Sequence, residues 1–286
     1  MYKSNLPRKW SDLAYAGEVR VPPADESETH SWPLFFLNRN DQGHFTDDRG
    51  QPLALDIRHP DAINFETEQL EAVRQTLSGL TQEKICMAEY WNAGPPTKQY
   101  TPIIDRLIDT YKLTATRAAR ILAAAYGGIN DAMVVTWHLK YKFNVPRPNQ
   151  LDQNLQTIVC TPYHPSYPAG HAVAAGCMEA ILGYFFSPEK NRLKCLAEEC
   201  SISRVYAGVH YPADVIEGLR LGRYIGEKIT CILEKQNNSL GCKIDYTITK
   251  NLSASLMPPP YEQVIKFERK RACHSLLDPR QCPDAR

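Results

Sequence analysis

Two histidines in this 286-residue chain each stand beside a sequence signal for a helix start. "HPSYPAGHAVAAG" places His171 three residues after Pro168, and "SISRVYAGVHYPADVIEG" places His210 two residues before Pro212. Proline suits the first helical position, because its φ is preset and the N–H it lacks would have no partner there. Helices are therefore expected to begin at Pro168, with Tyr167 as the cap, and at Pro212. The free N–H groups of Ala169, Gly170 and His171 would then form an anion site reinforced by the helix dipole. Gly170 lets an oxyanion approach the backbone without meeting a Cβ. His171, beside that anion, has the near-neutral intrinsic pKa that proton transfer needs. Asp214, four residues after His210, can accept a hydrogen bond from one ring nitrogen and fix the tautomer, leaving the other as nucleophile or ligand.

Cations accompany these groups. In "KYKFNVPRP", Pro146 ends a helix, which leaves Lys140 on its last turns and Arg147 in the exit loop, held extended by Pro148. Arg204, next to Ser203, offers a planar fork for two oxygens of a phosphate-like group. Each stretch has a plainer reading when taken alone: a basic helix end that complements the dipole, a capped core helix with an incidental histidine, or a first-turn acid. Nine fixed positions in one order argue for a shared site: Lys140, Arg147, Pro148, Gly170, His171, Ser203, Arg204, His210 and Asp214.

The elements that must bring them together are helices. Apolar residues recur at helical spacing over 67–91, about 102–111, 116–143 with Thr116 as a cap, from Pro168 through 186, from a Ser187 cap onward, and 212–235. Gly127-Gly128 marks a close crossing or a kink. Period-2 alternation never persists, so the fold class expected is all-α, a helical bundle. Residues 1–62 read as an irregular wrap pinned by Trp10, Tyr15, Trp32, Phe35 and Phe36. Residues 63–236 read as the helical core and 237–286 as an irregular tail with one short helix, the whole making one domain.

A net charge of +1, from 33 basic and 32 acidic side chains, gives no field that would draw the protein to nucleic acid or an anionic membrane. No signal-peptide or membrane-spanning stretch is visible, and a cytoplasmic protein is expected. Nine scattered cysteines read as reduced core thiols. Cys273, His274 and Cys282 lack a recognised zinc spacing and read as plain tail.

The order K-x6-RP, P-x-GH, SR-x5-H-x3-D resembles the signature of the type 2 phosphatidic acid phosphatase and vanadium haloperoxidase superfamily. The resemblance implies an α-helical bundle whose site binds phosphate or vanadate. Carried over by position, His210 would attack phosphorus or bond the vanadium of vanadate, His171 would be the acid–base group, and Asp214 would orient His210. Lys140, Arg147 and Arg204 would neutralise the oxyanion, and Gly170 would donate its N–H. Ala169 stands where the family usually has serine, whose hydroxyl donates to an oxyanion oxygen. Two chemistries are implied. One uses vanadate as cofactor, with hydrogen peroxide and a halide as small-molecule partners. The other needs no cofactor and hydrolyses phosphate monoesters or pyrophosphates through a phosphohistidine. "AEYWNAGPPTKQYTP" is similar to a Trp-containing loop of bacterial haloperoxidase-like members, which favours the first. A catalytically silent anion-binding relative is the third reading, and a homo-oligomer is compatible with each.

Overall fold

Backbone contact between two helices organises the molecule. The computed structural model describes residues 8–256, 258, 261–266 and 273–276. After an irregular start, a two-stranded antiparallel hairpin pairs β1 (Asn38–Arg39) with β2 (Phe45–Thr46), Asn38 opposite Thr46. Then come α1 (Leu70–Ser78), α2 (Gln82–Trp91), α3 (Pro96–Thr110), α4 (Ala115–Phe143), the single turn α5 (Pro148–Leu151), α6 (Gly170–Phe185), α7 (Lys190–Tyr206) and α8 (Pro212–Glu234). The fold is an all-α bundle with α6 at its centre, packed on α4, α7 and α8.

α6 and α8 approach closely because glycines recur every four residues along one face of α8. A Cβ on Gly222 would overlap the Val173 carbonyl oxygen, one on Gly226 would lie 2.9 Å from Cys177 O, and one on Gly218 2.8 Å from Ala169 O. Small residues at this spacing let backbones touch, which gains dispersion contact along the whole crossing. The consequence is positional: both helices begin at the same end, so the residues at their N-termini converge. Gly127-Gly128 is likewise a close crossing, with Phe36 packed on the first and Ile181 on the second.

Several expected boundaries move. The helix expected over 67–91 is two, broken at Gly79-Leu80 and restarted by Thr81, whose side chain accepts from Lys84 N. α3 starts at Pro96 and carries Pro102 inside, at the cost of one backbone hydrogen bond to the Lys98 carbonyl. α4 is capped at Thr114 rather than Thr116. α6 begins at Gly170, two residues after Pro168, because Ala169 is extended and gives its N–H to Asp214 O at 3.0 Å. Ser187 opens a short 3-10 turn instead of capping, and its hydroxyl donates to Ile248 O. α8 starts at Pro212 as expected. The described residues of the tail contain no helix.

Of the five aromatics expected to pin the N-terminal wrap, Trp10 and Tyr15 are buried and Phe36 packs on Gly127, whereas Trp32 and Phe35 are exposed, and a polar anchor stands in for them. The fully buried Asp131 of α4 accepts the backbone N–H groups of Phe35, Phe36 and Leu37 at 2.8–2.9 Å. The reading of all cysteines as reduced thiols is corrected: Cys160 and Cys273 form a disulfide that ties the tail to the loop before His164. A bridge from Thr157 to Leu276 runs beside it. Cys282, the remaining member of the tail cluster, lies outside the described residues. Among the described residues, no helix is long and apolar enough to cross a membrane.

Candidate oxyanion site

The N-termini of α6 and α8, the C-terminus of α7 and the loop after α4 meet around a buried cluster. At its centre His210 Nδ1 lies 2.8 Å from Asp214 Oδ2. The same carboxylate oxygen accepts from Ser166 Oγ at 2.5 Å and Tyr211 N at 3.0 Å. A carboxylate holds a donor here, so the proton sits on Nδ1 and the Nε2 lone pair points the other way. It meets Arg147, whose Nη1 donates to it at 2.9 Å.

Arg147 is fixed from every side: Nη1 also donates to Val209 O, Nε to His164 O, and Nη2 to His164 Nδ1 at 3.0 Å. Lys140, on the last turn of α4, donates to the carbonyls of Pro165 and Ser166 at 2.7 and 2.9 Å. The αL residue Asn144 and then Pro146 end that helix, which turns the chain back so that Arg147 faces Lys140 across the cluster. His171, in the first turn of α6, gives Nε2–H to the Trp91 carbonyl at 3.1 Å, which leaves Nδ1 as its free lone pair. Arg204 comes from the last turn of α7. Its Nη2 donates to Asn92 Oδ1 at 2.9 Å, while Nε and Nη1 are buried without a partner.

The electrostatics are lopsided. Lys140, Arg147 and Arg204 are all essentially buried, and among the described residues Asp214 is the one carboxylate in the cluster. Burial lowers the pKa of Lys140 well below its ordinary value and that of Arg204 to about 10. Burial, then the neighbouring cations, hold His210, His171 and His164 well below the imidazole range, so all three are neutral. Burial pushes the Asp214 carboxyl up to about 6, against hydrogen bonds from Ser166 and Tyr211. Three buried cations facing one carboxylate are costly unless an anion joins them. The unpartnered guanidinium nitrogens lack the very acceptors that an oxyanion's oxygens supply. Vanadate or phosphate therefore fits the donor set.

The structure brings Lys140, Arg147, Gly170, His171, Arg204, His210 and Asp214 together. A Cβ on Gly170 would point toward Met133, Trp137 and Lys140 at 3.5–3.9 Å, so the glycine leaves open the space beside Lys140. Ala169 is the exception among the expected donors. Its N–H is already given to Asp214 O, and its methyl packs among Ala172, Val205 and Val215. Ser203 sends its hydroxyl to Cys200 O. Four contributors lie in stretches the sequence singled out but were given no role there: His164 and Ser166 in the proline stretch, and Trp91 and Asn92 in the Trp-containing loop. His164 also packs on Trp137 at 4.8 Å between ring centroids.

The PAP2 superfamily model matches residues 118–237, the stretch from α4 through α8 that carries all of these charged groups. The helical core matches the PAP2 superfamily. The chain is also similar to the vanadium-dependent bromoperoxidases of Corallina pilulifera and Corallina officinalis, at 32% and 30% identity over 117 residues. Each match covers 32% of this chain and 19% of the relative, so the chain spans about a fifth of the curated relatives' length. Among solved structures, a bacterial vanadium-dependent iodoperoxidase superposes with a TM-score of 0.61 at 20% identity, covering 79% of this chain and 62% of that one. A holo-type bacterial vanadium-dependent chloroperoxidase follows at 0.58 and 13%, with coverages of 80% and 63%. At these identities the likeness is one of fold.

Proposed function

We propose that the cluster is the active site of a vanadium-dependent haloperoxidase-like enzyme, which oxidises halide with hydrogen peroxide. The observation that carries the reading is the pairing of three buried, under-compensated cations with two neutral histidines that present different ring nitrogens, Nε2 of His210 and Nδ1 of His171. The similarity of the PAP2 core to vanadium bromoperoxidases supports it. His210 Nε2 would bond vanadate, while Lys140, Arg147, Arg204 and the Gly170 N–H would hold its oxygens. Bound there, vanadate supplies peroxide activation for halide oxidation.

The chain's own residues do the rest. Asp214 keeps the Nδ1 proton of His210 in place, so Nε2 presents a lone pair. Arg147 shields that lone pair from protonation, and its Nη1 would turn to hold an oxygen of a bound oxyanion. His171 anchors one ring nitrogen on the Trp91 carbonyl and uses Nδ1 to hold or move a proton. The test is His171→Ala. Turnover of phenol-dye bromination should fall by about 100-fold or more, the usual worth of a positioned acid–base group. Vanadate affinity should change far less, and a variant that binds no vanadate contradicts this division of labour.

A further inference from the structure

Arg204 is 1% exposed, and a buried guanidinium ordinarily finds a carboxylate. Among the described residues its partner is the neutral amide oxygen of Asn92, with Nε and Nη1 left over. Asn92 is the residue that caps α2, directly after Trp91, whose carbonyl takes the His171 proton. Its place is rigid. Trp91 is fully buried and anchored by Nε1 on Glu199 at 2.9 Å. The amide of Gln99 donates to the carbonyls of Tyr90 and Ala93 on either side. The backbone that aims His171 therefore also aims Asn92 at Arg204.

An aspartate would fit the same space and would make a stronger hydrogen bond. It would also cancel the guanidinium charge where the oxyanion needs it. We propose that Asn92 is a positioning residue that orients Arg204 without neutralising it, and so sets the strength with which the pocket holds a multiply charged oxyanion. The inference rests on the oxyanion-site reading above.

Inorganic phosphate, titrated calorimetrically into wild type, Asn92→Asp and Asn92→Ala, separates a charge role from a shape role. Placing a carboxylate on Arg204 should weaken phosphate binding by about tenfold or more, because desolvated like charges interact strongly at close range. Asn92→Ala, which keeps the charge free, should stay within about threefold, roughly the worth of one neutral hydrogen bond or less. A shape role gives the reverse order, with Asn92→Asp near wild type and Asn92→Ala weak. The Asn92→Asp loss should also be larger for sulfate than for perchlorate, a selectivity that a structural defect would not produce. Equal binding by wild type and Asn92→Asp overturns this inference alone, as does a loss in Asn92→Ala larger than that in Asn92→Asp. No phosphate binding by wild type overturns the oxyanion site and this inference with it.

Discussion

Mild acid should destabilise this protein through its candidate site. His164, His171 and His210 are kept neutral in the folded chain by burial and by the cations beside them. In the unfolded chain each titrates near 6.5. Their stabilising contribution is therefore fully present above that value and is lost as pH falls below it. At pH 5.5 the unfolded chain has taken up protons that the folded site refuses, worth about 1.4 kcal/mol per histidine, or roughly 4 kcal/mol for three. Asp214 works the other way. Its carboxyl is raised to about 6 in the folded chain, so it regains about 1 kcal/mol over the same interval. The net loss from pH 7.5 to 5.5 is about 3 kcal/mol, a large share of an ordinary domain's stability. Urea unfolding at both values in a buffer without oxyanions measures it. Phosphate should restore much of the loss, since an anion in the pocket favours protonated imidazole and the cations alike. The decisive control is the His164→Gln/His171→Gln/His210→Gln triple variant. If its pH slope equals that of wild type, the three site histidines are not the cause.

Gly222→Ala should cost at least about 3 kcal/mol, because the new methyl meets the Val173 backbone carbonyl and α6 and α8 can only relieve the clash by separating. A thermal melt reads this, and phosphate affinity should drop with it as the two helix N-termini part. Asp131→Ala would leave three backbone N–H groups without their acceptor and should cost a similar amount, on the order of 1–3 kcal/mol for each group that stays dry. Limited proteolysis should then cut near residues 33–38, and unchanged resistance there would argue that the aromatics alone hold the wrap. Asp214→Asn should lower turnover by about 100-fold or more while leaving phosphate binding within about tenfold, since the amide no longer enforces the Nδ1–H tautomer of His210.

The helical class and the convergence of both histidines with the three cations were legible because periodicity and proline-marked helix starts are local signals. Pro212 opens α8 for the reason the sequence suggests, and Lys140 and Arg147 flank a real helix end. Pro168 does not open α6, because Ala169 spends its N–H on Asp214, 45 residues away in sequence, a tertiary bond that no local pattern announces. The same limit hid the Trp91 carbonyl and Asn92. Backbone groups and neutral amides carry no charge to notice, and their role appears only when α2 is packed against α7. The glycine ladder of α8 was visible as spacing, yet its meaning lies in what α6 brings against it. Cys160 and Cys273 are far apart in the chain and sit in unpatterned segments, so their pairing had no sequence signal either.

The cluster is proposed as an oxyanion site used for vanadium-dependent halide oxidation. It is tested most directly by loading the purified protein with orthovanadate and following bromination of a phenolic dye by hydrogen peroxide, beside hydrolysis of an aryl phosphate by the vanadate-free protein. Bromination should require vanadate and disappear in His210→Ala. Efficient phosphate release that vanadate inhibits, with no bromination, would contradict it and assign the same residues to phosphoryl transfer.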